Sequence, residues 1–254
     1  MEYLFHYTNE NNIDNILKKQ TLLFNNIYLT NDPYENKIFD LFDYKEMNKN
    51  IIDNEKQRFY FQHYTNMKNR IIKTMSFCMG DYNNKTITED NRPAYLYPRM
   101  WAQYGNNSKG ICLVFDKKKL LNHIEKQLSF DFNIFKHPNP YKREMLVNNM
   151  IDNIDKYFFI KDKDWAGEHE FRILIINKAH NNEIGPKKIK LDMSKVLHCV
   201  VLGENFVYRN EEEEQINSEK KISIIRSICK NKKIGLNIIK RDIYRSRYKL
   251  EKIV

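Results

Sequence analysis

The most constraining feature of this chain is an apolar run, Ile173-Leu-Ile-Ile176, that directly follows the charged stretch Glu168-His-Glu-Phe-Arg172. A short aliphatic run rich in β-branched residues indicates a buried strand with a core on both sides. Side chains alternate along a strand, so Glu168, Glu170 and Arg172 are expected to share one face. We therefore predict a strand from Glu168 to Ile176 that carries two neighbouring carboxylates where it begins.

Two adjacent carboxylates are costly unless a cation or a ligand uses them. In a purely structural interpretation, one of them pairs with Arg172. In a functional interpretation, Glu168 and Glu170 belong to a site. The residues alone leave both interpretations open.

Composition narrows the classes of function. The chain has 254 residues with only 7 glycines, and it contains neither a GxGxxG nor a GxxxxGK[ST] phosphate loop. Its four cysteines are scattered without a CxxC pair, so neither a zinc site nor a disulfide framework is expected. We find no signal-peptide pattern and no apolar run of about 20 residues, and we expect a cytoplasmic protein without a membrane partner.

The positive charge is concentrated at the end of the chain. From Lys220 to Val254 there are 12 lysines and arginines against two acids, Asp242 and Glu251, a surplus equal to the net charge of +10 of the whole chain. One interpretation is that this basic segment, 220–254, binds nucleic acid or another polyanion. The other is that it is a solvated surface.

The hydrophobic pattern predicts an alternation of strands and helices with no internal repeat and no linker, hence one domain over residues 1–254. The predicted strands, besides the one at Glu168, are Tyr3–Thr8, Thr74–Met79, Gly110–Phe115, Lys187–Leu191, Val196–Gly203, Gly235–Ile239 and Tyr248–Val254. The predicted helices are one capped by Asn9, a charged region from Glu35 to Arg70, Arg99–Tyr104, Lys117–Gln127, Glu144–Ile160 and Glu211–Lys230. We expect the segment Phe130–Tyr141, which has two prolines, to be irregular or an edge strand.

Arg99, Trp101 and Tyr104 form the most specific local group of the first half of the chain. Trp101 and Tyr104 can share a helical face while Arg99 projects elsewhere. An arginine near aromatic rings suits an anionic, planar ligand such as a dinucleotide. An aromatic pair in the core with a surface arginine explains the same residues.

Five motifs in order resemble a bacterial family catalogued as a domain of unknown function, family 2971. The resemblance as a whole runs from about Tyr3 to Gly203, and the ordered set is far more specific than any one motif. They are His6-Tyr-Thr8, Leu29-Thr-Asn-Asp-Pro-Tyr-Glu35, Ser76-Phe-Cys78, Met100-Trp-Ala-Gln-Tyr104 and Trp165-x-x-Glu-x-Glu-x-Arg172. The family is grouped by similarity with the ADP-ribosyltransferase-like fold of diphtheria toxin and the poly(ADP-ribose) polymerases.

The resemblance implies an α+β fold with a split pair of β-sheets, flanked by helices, that binds NAD without a metal. It implies that His6 anchors a ribose hydroxyl, that Glu170 is the catalytic glutamate and that Glu168 assists it as the upstream acid. Tyr104 and Tyr34 are the candidates for stacking on nicotinamide. The remaining candidate NAD-binding residues in the motifs are Tyr7, Thr8, Asn31, Asp32, Ser76, Arg99 and Trp101.

Three hypotheses follow. The first is an NAD-dependent ADP-ribosyltransferase that modifies nucleic acid or protein, as a toxin or phage-defence effector with a possible antitoxin partner. The second is a metal-dependent nuclease that uses Asp162, Asp164, Glu168 and Glu170 as a carboxylate cluster. The third is a non-catalytic nucleotide-binding module.

Overall fold

The computed structural model describes residues 2–30, 62, 71–80, 82, 93–138, 141–142, 158–159, 161–179, 185–207, 212–242 and 247–254. Most of the predicted helical region from Glu35 to Arg70, and of the predicted helix Glu144–Ile160, lies outside these residues. The three site candidates Asn31, Asp32 and Tyr34 also lie outside them.

The described chain contains twelve strands and four α-helices. The strands are β1 (Tyr3–Thr8), β2 (Thr21–Asn26), β3 (Ile72–Gly80), β4 (Ile111–Asp116), β5 (Phe132–Pro138), β6 (Tyr141–Lys142), β7 (Lys161–Asp162), β8 (Glu170–Asn177), β9 (Lys187–Lys190), β10 (Leu197–Leu202), β11 (Gly235–Asp242) and β12 (Arg247–Lys252). The α-helices are α1 (Pro98–Gln103), α2 (Lys117–Leu128), α3 (Met193–Val196) and α4 (Glu212–Lys232). This mixture confirms the predicted α+β class.

The contacts divide the chain into two compact units. Unit 1 comprises Met1–Leu22, Phe77–Lys126 and Ile189–Val254, and unit 2 comprises Leu23–Ser76 and Gln127–Lys188. Each unit is built from separated stretches of the chain, so the single domain predicted over residues 1–254 stays a prediction.

The strands of unit 1 form a mixed sheet in the order β12-β11-β10-β4-β1-β3, to which β3 contributes its end from Phe77 onward. Neighbouring strands are antiparallel except β10 and β11, which are parallel and are connected through α4. Every residue of β4 is buried, as is every residue of β1 except His6. Both faces of these central strands are therefore covered, as their near-continuous apolar sequences require.

The strands of unit 2 pair in the order β2-β3-β8-β5, and β6 pairs with β7 as a separate parallel pair. Every residue of β8 is buried. The segment expected to be irregular or an edge strand forms β5, which pairs along its length with β8 from Phe132–Asn177 to Pro138–Phe171. Pro138 closes this strand, where its missing N–H does least damage to the ladder.

Two local predictions were wrong. The stretch after Asn9 is a 3-10 turn (Glu10–Asn12) followed by a π-helical turn (Asp14–Lys18), although Asn9 does cap it by accepting a hydrogen bond from the Asn11 N–H at 2.8 Å. The strand predicted from Glu168 begins only at Glu170. None of the helices in the described part of the chain combines the length and the apolar composition that crossing a bilayer requires.

Candidate functional site

A sharp change of backbone direction separates Glu168 from Glu170. Glu168 is the last residue of a 3-10 helix, Lys163–Glu168, that Asp162 caps by accepting a hydrogen bond from the Asp164 N–H. His169 then adopts a left-handed conformation with φ 46°, and β8 starts at Glu170. The two acids therefore do not share a strand face, because the left-handed residue between them breaks the alternation.

The Glu170 carboxylate is clamped by Arg172 of the same strand. Arg172 donates from Nε to Oε1 at 2.8 Å and from Nη2 to Oε2 at 3.1 Å, a bidentate pair in which both residues are almost fully buried. Ser76 of β3 donates its hydroxyl hydrogen to Oε1 of the same carboxylate. The structure thus confirms Arg172 as a partner of one of the two acids and brings the candidates Ser76 and Glu170 together.

Lys161 of β7 joins the two acids. Its Nζ lies 2.6 Å from Glu168 Oε2 and 3.0 Å from Glu170 Oε2, and it lies 4.9 Å from the centre of the Trp165 ring. Lys161 is only 5% exposed. The turn through His169, not a shared strand face, allows Glu168 and Glu170 to meet one ammonium group.

Backbone groups complete this network. Arg172 Nη1 donates to the Phe158 carbonyl at 2.8 Å, and the backbone N–H of Glu170 donates to the Tyr141 hydroxyl at 2.6 Å. Burial, the largest effect, raises the pKa of Tyr141 to about 12, so this hydroxyl stays protonated at neutral pH. We call Lys161, Glu168, Glu170 and Arg172, with Ser76 and Tyr141, the Glu170 network.

The charges of the Glu170 network balance, with two carboxylates against one ammonium and one guanidinium. Burial by itself would raise the pKa of Glu170. The charges of Arg172 and Lys161, with the hydrogen bonds from Arg172 and Ser76, outweigh burial and lower this pKa from 4.5 to about 2. Glu170 is therefore ionised at neutral pH although it is only 3% exposed.

The acceptor positions of the Glu170 carboxylate are fully used. A carboxylate offers about four lone-pair positions, and here Oε1 accepts from Ser76 and Arg172 while Oε2 accepts from Lys161 and Arg172. A ligand hydroxyl can therefore bind this carboxylate only by replacing one of these donors.

His6 and Tyr7, which belong to unit 1, point to opposite faces of its sheet because they are neighbours on β1. The half-buried His6 ring lies 5.7 Å from the Phe77 ring. Tyr7 is 5% exposed, donates its hydroxyl hydrogen to the Ala94 carbonyl and packs edge-on against Trp101 at 4.9 Å between ring centres. Thr8 Oγ1 accepts a hydrogen bond from Asn12 Nδ2 at 2.8 Å.

The three candidate residues at helix α1, Arg99, Trp101 and Tyr104, differ in burial. Trp101 is buried and donates from Nε1 to the Tyr95 carbonyl at 2.8 Å. Arg99 is exposed and donates from Nε to Gln103 Oε1 at 3.3 Å. Tyr104 is half-buried and packs against the core cluster that contains Trp101. This arrangement matches the interpretation of an aromatic pair at the core with a surface arginine.

Three of the four acids of the nuclease hypothesis have partners other than a metal ion. Glu168 and Glu170 bind cations, and Asp162 caps the 3-10 helix. Within the described ranges, no group of three or more His, Cys, Asp or Glu side chains is arranged to hold a metal ion.

Sequence reasoning missed Lys161, Tyr141 and the Phe158 carbonyl. Lys161 stands beside Asp162, Lys163 and Asp164 in the sequence, where it resembles a surface charge. One signal could have identified it. Two buried carboxylates need two cations, and Arg172 supplies only one of them.

Residues 100–173 match the model of a protein family described as "Protein of unknown function (DUF2971)". The matched segment includes Trp101, Tyr104, Glu168, Glu170 and Arg172. No curated protein and no solved structure matches the chain.

Proposed function

We propose that this protein is an NAD-dependent ADP-ribosyltransferase with Glu170 as its catalytic carboxylate and an ADP-ribosyltransferase-like fold. One observation carries the proposal: an ionised glutamate is the first residue of a buried strand, and a serine hydroxyl from the paired strand β3 is hydrogen-bonded to it. The resemblance assigns its catalytic glutamate to the start of a late strand. The role of His6 as a ribose anchor stays part of the proposal.

The chemistry requires a carboxylate that is charged at neutral pH. In the proposed reaction the bond between nicotinamide and ribose breaks, nicotinamide leaves with the bonding electrons, and the sugar passes through an oxocarbenium-like state. The acceptor nucleophile then bonds to the sugar carbon and releases a proton. The positive charge of the nicotinamide ring moves to the sugar as the bond breaks. An ionised Glu170 that accepts a hydrogen bond from a ribose hydroxyl stabilises this positive sugar more than the ground state.

Because the acceptor positions of Glu170 are filled, ribose binding needs an exchange of donors. Lys161 is the donor best suited to leave, since Glu168 holds the same ammonium at the shorter distance of 2.6 Å. Arg172 is the least suited, because its two hydrogen bonds to Glu170 would break together. In this proposal Glu168 assists Glu170 by retaining Lys161 when the substrate arrives.

The basic C-terminal segment supports nucleic acid as the acceptor. On the strand pair β11–β12, Lys240 stands directly opposite Lys249, a pairing of like charges that is unfavourable in isolation. Lys240 forms an ion pair with Glu251 at 3.0 Å, which relieves part of this repulsion. A phosphate backbone would relieve the remainder.

The test is turnover of NAD. The purified protein is incubated with labelled NAD and EDTA, together with DNA, RNA or cell lysate, and both released nicotinamide and transferred label are measured. We expect the wild type to transfer the label. Glu170→Asp keeps the charge, but its shorter side chain moves the carboxylate away from the sugar, so its rate of turnover should be lower by a hundredfold or more. The matched control is Glu219→Gln on the exposed face of α4, which should keep full activity.

Two further variants separate catalysis from folding. Ser76→Ala leaves the four charges in place and should lower the melting temperature by only the few degrees expected from one lost hydrogen bond, while changing kcat. Glu168→Gln should lower kcat less than Glu170→Asp does. Absence of turnover with every acceptor, or equal turnover by Glu170→Asp and the wild type, would refute the proposal.

The filled acceptor positions of Glu170 favour a second candidate, a non-catalytic nucleotide-binding module in which the Glu170 network only stabilises the protein. That candidate predicts NAD binding in calorimetry with no release of nicotinamide. It also predicts that Glu170→Asp changes the melting temperature and leaves NAD affinity unchanged.

A further inference from the structure

Unit 1 contains a cavity of about 210 Å³ that the Glu170 network does not share. Its apolar wall comes from Leu96, Pro98, Trp101, Ile239 and Tyr248. Its polar wall comes from Asn107, Ser108 and Glu204. Two aromatic rings beside a few convergent polar side chains are typical of a site for a small planar ligand.

The size of the cavity selects the ligand. A cavity of roughly 150 Å³ holds benzene, and sites for drug-sized molecules start at about 300 Å³. A volume of about 210 Å³ therefore suits a single ring system such as a purine base. The exposed Pro98, Ala102 and Asn107 leave one side open, through which the rest of a larger molecule can extend.

The polar wall is a strained and firmly held loop. Asn106, Asn107 and Ser108 are consecutive left-handed residues with φ between 48° and 64°, a conformation that non-glycine residues keep only when their surroundings enforce it. The enforcing residue is Asn205. Its Nδ2 donates to the Asn107 carbonyl at 3.1 Å and its N–H donates to the Ser108 carbonyl at 3.0 Å.

Gly203 permits the close contact between these two loops. A Cβ on Gly203 would lie 2.1 Å from the Ser108 carbonyl oxygen, so no larger residue fits without moving the loop. Strained backbone that is over-determined in this way concentrates at binding and catalytic sites. The polar wall is thus in place before any ligand arrives.

Glu204 supplies the chemical selectivity of the polar wall. Its side chain is half-buried, and across the described residues it has no hydrogen bond or ion pair. A carboxylate accepts hydrogen bonds and donates none, so it selects a ligand edge with N–H groups. The exocyclic amine of adenine is such a group, and the side-chain amide of Asn107 can both donate to and accept from adenine nitrogens.

Arg241 adds a positive charge beside the aromatic wall. It stands opposite Tyr248 in the β11–β12 register, and its Cζ lies 6.0 Å from the centre of the Tyr248 ring. The side chain is exposed. A guanidinium in this position can bind a phosphate attached to a nucleoside whose base occupies the cavity.

We propose that this cavity is a binding site for an adenine nucleotide, with the base against Trp101 and Tyr248, its amine on Glu204 and its phosphate on Arg241. The ligand is either a free mononucleotide or an unpaired adenine of a nucleic-acid strand. Trp101 lies on the Tyr7 side of β1 and His6 on the other, so the site is separate from the ribose contact that the resemblance assigns to His6. It does not depend on the ADP-ribosyltransferase proposal.

Calorimetric titration of the full chain tests the site with four probes: AMP, adenosine, the AMP analogue that lacks the 6-amino group, and a hexamer of deoxyadenylate. We expect AMP to bind about tenfold more tightly than adenosine, because one charge-assisted hydrogen bond is lost, and about tenfold more tightly than the analogue. Tighter binding of the hexamer than of AMP assigns the site to nucleic acid, and the reverse assigns it to the free nucleotide.

Variants link binding to the cavity. Glu204→Gln should abolish the preference for AMP over the analogue, and Arg241→Gln should abolish the preference for AMP over adenosine. Ala102→Phe, placed on the exposed side of α1, should fill the opening and weaken AMP at least tenfold. The matched controls Glu219→Gln and Lys118→Gln, both at exposed helical positions, should leave AMP affinity unchanged.

AMP affinity that is insensitive to both Ala102→Phe and Glu204→Gln would overturn the proposal, as would absence of binding by AMP and the hexamer at millimolar concentration. The isosteric Glu204→Gln keeps the test valid if Ala102→Phe fails to fold. Because Glu170→Asp should bind AMP like the wild type, a failure of this site and a failure of ADP-ribosyl transfer are distinguishable.

Discussion

The Glu170 network of unit 2 and the aromatic cluster around Tyr7 and Trp101 in unit 1 are both buried, and they are held together in opposite ways. In the network, four charges share one small volume and each relies on the others for neutrality. In the cluster, two large rings pack edge-on, and the Tyr7 hydroxyl and the Trp101 Nε1 each donate to a backbone carbonyl. We therefore expect the stabilities of the network residues to be coupled and those of the cluster residues to be additive.

This difference bears on function. Tyr7 packs against Trp101 and does not line the cavity, so it contributes mainly to the core, whereas Trp101 also forms part of the cavity wall. A network in which one ammonium already has two carboxylate partners can rearrange without losing its balance of charge. The Glu170 network is therefore the better place for chemistry that needs a charged group. The border of the aromatic cluster is the better place for an apolar cavity.

The largest expected effect comes from breaking the charge balance of the network. Arg172→Leu leaves two buried carboxylates on Lys161 alone and should lower the free energy of unfolding by about 3 to 5 kcal/mol. The double variant Glu170→Leu/Arg172→Leu leaves the neutral Lys161–Glu168 pair and should cost less than the sum of the two single variants. Urea unfolding followed by circular dichroism measures all three.

The control for this cycle is the exposed pair Lys195–Asp192, at 3.1 Å and with side-chain exposures of 76% and 37%. Lys195→Gln breaks this pair but keeps Asp192, which caps α3, and it should cost less than about 1 kcal/mol because solvent screens the pair. Additive effects of Glu170→Leu and Arg172→Leu would show that the network is not cooperative.

The second-largest expected effect is the loss of stability at low pH, which should come from the Glu170 network and not from the aromatic cluster. Folding lowers the pKa of Glu170 from 4.5 to about 2, so below pH 4.5 the unfolded chain binds a proton that the folded protein excludes. The stabilisation is therefore complete above about pH 5 and is lost as the pH falls from 4.5 through 2, by a few kcal/mol at most.

The measurement compares urea midpoints at pH 6 and pH 3 for the wild type and for Glu170→Leu/Arg172→Leu. The wild type should lose more stability than the double variant, which lacks the titrating group. An equal loss in both proteins would place the acid sensitivity outside the Glu170 network.

The smallest expected effect is in the cluster. Tyr7→Phe keeps the ring against Trp101 but leaves the Ala94 carbonyl without the Tyr7 hydroxyl, and it should cost about 1 to 2 kcal/mol. Because neither group ionises near neutral pH, the cost should be the same at pH 5 and pH 8. Tyr28→Phe, at a tyrosine that is 39% exposed, is the matched control, and an equally large cost there would remove the special role of the buried hydroxyl.

Local sequence patterns predicted most of the described elements because these elements follow local rules. The strand Tyr3–Thr8, the helix that starts at Lys117 and the helix Glu212–Lys232 all show their period or their end signals in consecutive residues. The π-helical turn at Asp14–Lys18 and the turn at His169 were not predictable, since tertiary packing selects such rare conformations.

The candidate site was predicted in part. Glu170, Arg172 and the serine of Ser76-Phe-Cys78 were chosen from the sequence, and the structure brings them together. Lys161 was missed because its sequence neighbours are charged, and only its burial shows that it serves the two acids. The cavity at Trp101 was missed because its walls come from four separate stretches of the chain.

The sequence by itself determined that Glu170 and Arg172 would lie on one face of a buried strand, because alternation along a strand is a local property. Only the tertiary structure decided that Glu168 reaches the same ammonium from a 3-10 helix, and that Lys161 supplies this ammonium. The physical reason is electrostatic: buried charges must balance within a few ångströms, and the groups that balance them are chosen by proximity in space.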